Sequence, residues 1–105
     1  MELNEFINLI EKRPQMYMEC LNINDLGKII RVYVDVKFKN NIISEKENIF
    51  ISKFNDWIEK YYDAPIHTGW ISNILYFEIS HTNAVNKFFE LYKQWYKEEF
   101  GEDAW

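Results

Sequence analysis

The hydrophobic positions of this chain recur mostly three and four residues apart, which is the spacing of helices. In ELNEFINLIEKR, Leu3, Phe6, Ile7 and Ile10 fall at i, i+3, i+4 and i+7 and so share one helix face. Pro14 disfavours helical geometry at Arg13, so this helix is expected to end near Lys12. The next stretch, LNINDLGKIIRVYVDVKFKN, admits two periods. Leu26, Ile29, Ile30 and Tyr33 keep the helical spacing, with Asn24 or Asp25 as N-cap, while Val32, Val34, Val36 and Phe38 alternate as a strand would. A helix that frays or changes character after Val34 is the reading adopted, closed by Asn40-Asn41.

The third element has the clearest start. Ser44 and Glu47 fit a capping box, in which the serine hydroxyl accepts from the Glu47 N–H and the glutamate reaches back. Phe50, Phe54, Trp57, Ile58 and Tyr61 then form one face, and Lys53, Asp56, Glu59 and Lys60 the other, until Asp63-Ala64-Pro65. After the loop Ile66-His67-Thr68-Gly69, the run Trp70, Ile71, Ile74, Leu75 is again helical, with Thr68 as cap and a short strand as the competing reading. Tyr76, Phe77 and Ile79 make this segment apolar on most sides, so it is expected to be the most buried helix. A last helix, capped by Thr82 and ended by Gly101, places Val85, Phe88, Phe89, Tyr92, Trp95 and Tyr96 on one face. Five helices with short connections predict an all-α, compact single-domain bundle over residues 1–105.

Composition sharpens this picture. Hydrophobic residues are 48% and aromatics 18%, with only 3 Gly and 2 Pro, a balance that favours packed elements over disorder. No apolar run reaches the length of a membrane span, and nothing after Met1 resembles a secretory leader. A single cysteine, Cys20, leaves no intramolecular disulfide to form, so the expected location is cytoplasmic. Net charge is −5, and it is concentrated late: residues 1–50 hold 8 acids against 7 bases, residues 51–105 hold 9 against 5. That distribution disfavours nucleic acid, which recruits clustered Lys and Arg, and suits a basic protein partner. No membrane partner is expected, and the pattern selects no oligomeric state.

Candidate chemistry is sparse. Cys20 has Glu19 and Asn22 nearby and no cation to activate it, so an inert or core thiol is expected. His67 and His81 lie 14 residues apart without metal-ligand spacing, each just before a predicted helix where a histidine serves a loop hydrogen bond. The pairs Glu45/Glu47, Glu98/Glu99 and Glu102/Asp103 read as solvated helix surface, and the isolated Gly27, Gly69 and Gly101 form no phosphate loop. No catalytic residue, metal or cofactor is therefore expected. Most rings belong to the helical stripes, but Tyr62, Trp105 and Tyr76 fall off them. An exposed ring beside carboxylates has the composition of a protein-binding hot spot.

The segment Arg13-Pro14-Gln15-Met16-Tyr17-Met18, followed by Leu21 to Leu26 and Ile29-Ile30-Arg31-Val32-Tyr33, resembles the "RPxMYLG…SIxxLxxFIxGY" opening of a family of small bacterial immunity proteins. That family guards against polymorphic toxins and contact-dependent inhibition. Phe54 to Ile58, Trp70 with Ile71 and Ile74, and Ala84 to Leu91 are similar to its "FxxFV", "WxxII" and "eAlxxFFeLl" segments, while Glu19 and Val32 stand where it has glycines. The resemblance implies a helical, non-catalytic cytoplasmic protein that binds a cognate toxin domain, in many cases a nuclease with a basic cleft. Asp56, Glu59, Asp63, Glu98, Glu99, Glu102 and Asp103 are then the candidates for electrostatic complementarity, with Tyr62 and Trp105 as anchors. The alternative is a regulatory or adaptor module holding a small ligand or peptide among Tyr17, Trp57 and Trp70. In either case Pro14 begins a tight turn, and Met16, Tyr17 and Met18 are expected to tuck under the next helix.

Overall fold

The helical periods translate into five helices in the computed structural model, which describes residues 1–64 and 68–105. They are α1 (Leu3–Lys12), α2 (Ile23–Lys39), α3 (Glu45–Tyr62), α4 (Trp70–Glu78) and α5 (His81–Phe100), with a 3₁₀ turn at Pro14–Met16. The expectations placed on Pro65, Ile66 and His67 lie outside the described residues. The chain forms an all-α single-domain bundle with a radius of gyration of 13.2 Å, as expected for a compact chain of this length.

The core is built on α5, whose predicted stripe of Val85, Phe88, Phe89, Tyr92, Trp95 and Tyr96 is buried throughout. Phe50 and Phe54 of α3 meet it edge-on: Phe54 stands 5.5 Å from Trp95 and 5.9 Å from Phe88, and Phe50 stands 5.6 Å from Trp95. Leu3, Ile7 and Ile10 of α1 and Ile23, Leu26, Ile30 and Val34 of α2 close the opposite side. Each edge-to-face pair adds about 0.5–1.5 kcal/mol to the burial of its rings.

Two elements depart from the sequence reading. Helix α2 runs on to Lys39, and its strand-like alternation arises because it is apolar on two sides: Val34 is buried, whereas Val32, Val36 and Phe38 face solvent. Helix α4 packs against α2, α3 and α5, yet buries only Asn73 and Ile74. The most buried helix is α5, because α4 is a short element laid across the outside of the bundle. Gly27 permits the α2–α4 approach: a Cβ there would stand 2.2 Å from Ile71 Cδ1.

Helix starts divide by the origin of the cap. The Ser44–Glu47 capping box forms as predicted. Elsewhere, Asn22 rather than Asn24 or Asp25 caps α2, Ser80 rather than Thr82 caps α5, and α4 starts after Gly69 without a side-chain cap of its own. Distant side chains complete three of these ends. Glu47 accepts from Leu3 N at 2.8 Å, His81 Nδ1 from Ile23 N at 3.2 Å, and Asn55 Oδ1 from Trp70 N at 2.7 Å. Glu47 is 2% exposed and so is a buried keystone, not the solvated residue its pairing with Glu45 suggested.

At the Pro14 corner, Met18 is buried and Tyr17 meets Phe6 edge-on at 5.8 Å, but Met16 is 67% exposed, since the 3₁₀ turn points it outward. Cys20 is exposed, which removes the core reading for its thiol. Among the described residues no helix is long and apolar enough to cross a membrane.

Candidate partner-binding surface

The nine residues singled out in the sequence do not form one patch. Asp56, Glu59, Tyr62 and Asp63 lie on the second half of α3 and its end, where Asp63 takes a left-handed conformation with φ 51°. Glu98, Glu99, Glu102 and Asp103 lie at the end of α5 and just beyond, running antiparallel to α3. Glu102 is therefore beside Lys46 at the start of α3, roughly 25 Å of helix away from Tyr62.

The acids of this second group already have partners. Glu98 accepts from Trp57 Nε1 at 3.2 Å, Glu99 pairs with Lys53 at 3.0 Å, Glu102 with Lys46 at 2.5 Å and Asp103 with Lys97 at 3.3 Å. The first three clasp α5 and its trailing segment to α3, and the Asp103–Lys97 pair ties that segment back onto α5. Trp105 is used internally as well: its ring stacks on Tyr92 at 5.8 Å, its Nε1 donates to Glu11 at 2.9 Å, and the Lys93 ammonium sits 4.9 Å above it. A half-buried ring held from three sides is a poor anchor for another molecule.

The other end of α3 is different in kind. A chain of ring contacts leads outward from Phe54 through Trp57, Tyr61, Tyr62 and Phe77 to Tyr76, with Tyr62 and Phe77 stacked at 4.6 Å and 4°. Tyr62 OH donates to Glu78 at 2.9 Å; burial, together with this bond, pushes its pKa up, so the hydroxyl remains a donor. Tyr76 is 77% exposed and Ile79 is 85% exposed.

Ile79 is also strained. It has φ 74° and ψ −48°, and Ser80 N donates across it to Glu78 O at 2.8 Å, which is the γ-turn that a β-branched residue rarely adopts. Such a conformation costs on the order of 1–3 kcal/mol and is concentrated where function requires it. Beside it, Tyr62, Asp63, Thr68, Ser72, Asn73, Tyr76 and Phe77 line a cleft of about 520 Å³. Asn73, 5% exposed, accepts at Oδ1 from the Thr68 hydroxyl at 3.5 Å, while its Nδ2 has no hydrogen-bond partner among the described residues.

Tyr62 and Asp63 thus fall in a surface that sequence reasoning only half located. Phe77 and Ile79 were missed because their apolarity reads as burial. The signal that could have found them was an apolar run continuing past the helical stripe of Trp70, Ile71, Ile74 and Leu75. The ligand pocket imagined from Tyr17, Trp57 and Trp70 does not assemble: Tyr17 lies on Phe6, Trp57 borders a cleft with Tyr61 and Glu98, and Trp70 borders another with Lys28 and Arg31.

Fold and surface together define a small all-α protein with an exposed ring-and-isoleucine ledge flanked by acids. Comparison of the chain with family models, with curated proteins and with solved structures finds no match.

Proposed function

We propose that this chain is a bacterial immunity protein, which binds a cognate toxin domain through the α3–α4 end and blocks its active site or substrate access. Support comes from the motif resemblance over residues 3 to about 100 and from the acidic second half of the chain. The observation that carries the reading is the outward display of Tyr76 at the end of α4, beside Tyr62 and Asp63, and of Ile79 on the strained turn that follows. Exposed rings anchor such interfaces, and the surrounding acids steer a basic toxin domain toward them.

The test is to look for a large toxin gene directly upstream and to co-express this chain with that toxin's C-terminal domain. Growth should be restored, and a complex should elute by size exclusion; persistent arrest with no complex would end the immunity reading. Glu59→Lys with Asp63→Lys should slow association and flatten its salt dependence, whereas unchanged kinetics would remove those acids from the interface. Ile79→Gly should raise stability by about 1 kcal/mol in urea denaturation while weakening the complex, because relief of strain and loss of an anchor act in opposite directions.

The unpartnered Asn73 Nδ2 favours one second reading, an adaptor whose cleft receives a peptide carbonyl. Asn73→Leu would then abolish peptide binding, and toxin rescue would be absent in the wild type.

A further inference from the structure

The outward side of α2 is apolar and, among the described residues, only partly covered, with Ile29 and Tyr33 half-buried and Val32 and Val36 exposed. Ile29, Val32, Tyr33 and Val36 lie at i, i+3, i+4 and i+7, a second stripe beside the buried Ile23, Leu26, Ile30 and Val34. Val32 and Val36 are 60% and 51% exposed, and the groove they form with Phe6 and Ile42 measures about 630 Å³. Its floor is formed by Phe6 and Tyr33, stacked at 4.3 Å and 9°. A solvent-facing stripe of helical period over two turns fits another helix.

The charges along the stripe say which helix. On the side away from α1, Lys28 and Asp35 flank the stripe and Asp25 and Lys39 stand at its two ends, with Arg31 further round the helix; all five are exposed and none is in an ion pair among the described residues. By contrast Lys37, Lys46, Lys53, Lys87, Lys93 and Lys97 are all paired with carboxylates. The four charges nearest the stripe, Asp25, Lys28, Asp35 and Lys39, read acid, base, acid, base from one end and base, acid, base, acid from the other. The set is therefore complementary to itself when reversed.

We infer that a second copy of this chain docks here, in a two-fold dimer of antiparallel α2 helices centred on Val32. In that arrangement Asp25 faces Lys39 of the second copy and Lys28 faces Asp35, and the symmetry repeats both pairs. The same operation sets Ile29 against Val36 and Val32 against its own counterpart. A parallel pairing would instead bring the charged edge against the Phe6 side and form none of these pairs. The interface uses no residue assigned to toxin contact, and its test needs only the protein itself.

Sedimentation or light scattering should show the molar mass rising from 12.9 kDa toward twice that value. The rise is expected as concentration is raised from about 1 μM to about 500 μM, the range over which a single helix pair associates. A monomer throughout overturns the proposal. Val32→Glu should stay monomeric with an unchanged melting curve, because the position is solvent-facing; a persistent dimer overturns the assignment to α2. Lys39→Asp should weaken dimerisation about tenfold, and adding Asp25→Lys in the same chain should restore it. Failure of the double variant to recover, in protein that still melts cooperatively, overturns the antiparallel register. Should Val32→Glu abolish toxin binding in a protein that is always monomeric, the face belongs to the toxin and the dimer is wrong.

Discussion

Glu47 is the residue on which the most of this fold converges. Its carboxylate accepts from Leu3 N at the start of α1, from Ser44 N at the start of α3 and from the Lys37 ammonium at 2.7 Å near the end of α2. Lys37 and the Tyr33 hydroxyl also donate to Met1 O, so the same knot holds the first residues. Burial pushes the Glu47 carboxyl up, but the Lys37 ammonium and the N–H donors of Ser44 and Leu3 outweigh it and hold it below its ordinary range. A carboxyl depressed on folding contributes stability that is complete above its unfolded value of about 4.3 and is lost as pH falls through the folded one. Glu47→Ala should therefore cost about 2–4 kcal/mol at neutral pH, because it leaves Lys37 with only Met1 O and the more distant Glu2 and strands the buried Leu3 donor and the part-buried Ser44 donor. The variant should also lose part of the acid sensitivity that wild type shows below about pH 4.5 in urea titrations. Equal stability of the two proteins at pH 7 would remove Glu47 from this role.

At the scale of elements, α2 and α4 depart most from the sequence reading, and for one reason. Each is apolar on more than one side, so periodicity alone gives neither the inward face nor the extent of burial. In α2 the two stripes interleave to produce an alternation that looks like a strand, although Asn22 caps the helix and it runs unbroken to Lys39. In α4 the apolar surplus is displayed, with Tyr76 and Ile79 outside. The seat of α4 on α2 depends on Gly27, so Gly27→Leu should force the helices apart at Ile71 and cost about 1–3 kcal/mol as an overpacking change. Thermal melting checks this, and a midpoint equal to wild type would mean that Ile71 simply rotates away.

For the whole molecule, stability resides in the aromatic interior, and the charged exterior contributes little. Trp95 is 1% exposed and packs on Phe50, Phe54 and Tyr92, so Trp95→Ala should cost about 3–5 kcal/mol. The Lys53–Glu99 and Lys97–Asp103 pairs are solvent-exposed, and Lys53→Gln with Lys97→Gln should change stability by less than about 1 kcal/mol in the same denaturation experiment. What the sequence determined by itself was local: the stripes of α1 and α5, the proline stop after Lys12, the Ser44 box and the glycine end at Gly101, all set by residues within four positions of one another. Of the candidate surface it located Tyr62 and Tyr76, because they fall off the stripes of their helices, and Asp63, as one of the late acids. Only the tertiary structure decided that Glu47, His81 and Asn55 cap distant helices, that Trp105 and the late acids serve their own chain, and that Ile79 is held outward on a strained turn. Hydrogen-bond partners tens of residues apart leave no period in a sequence, and an apolar side chain reads the same there whether it will be buried or displayed.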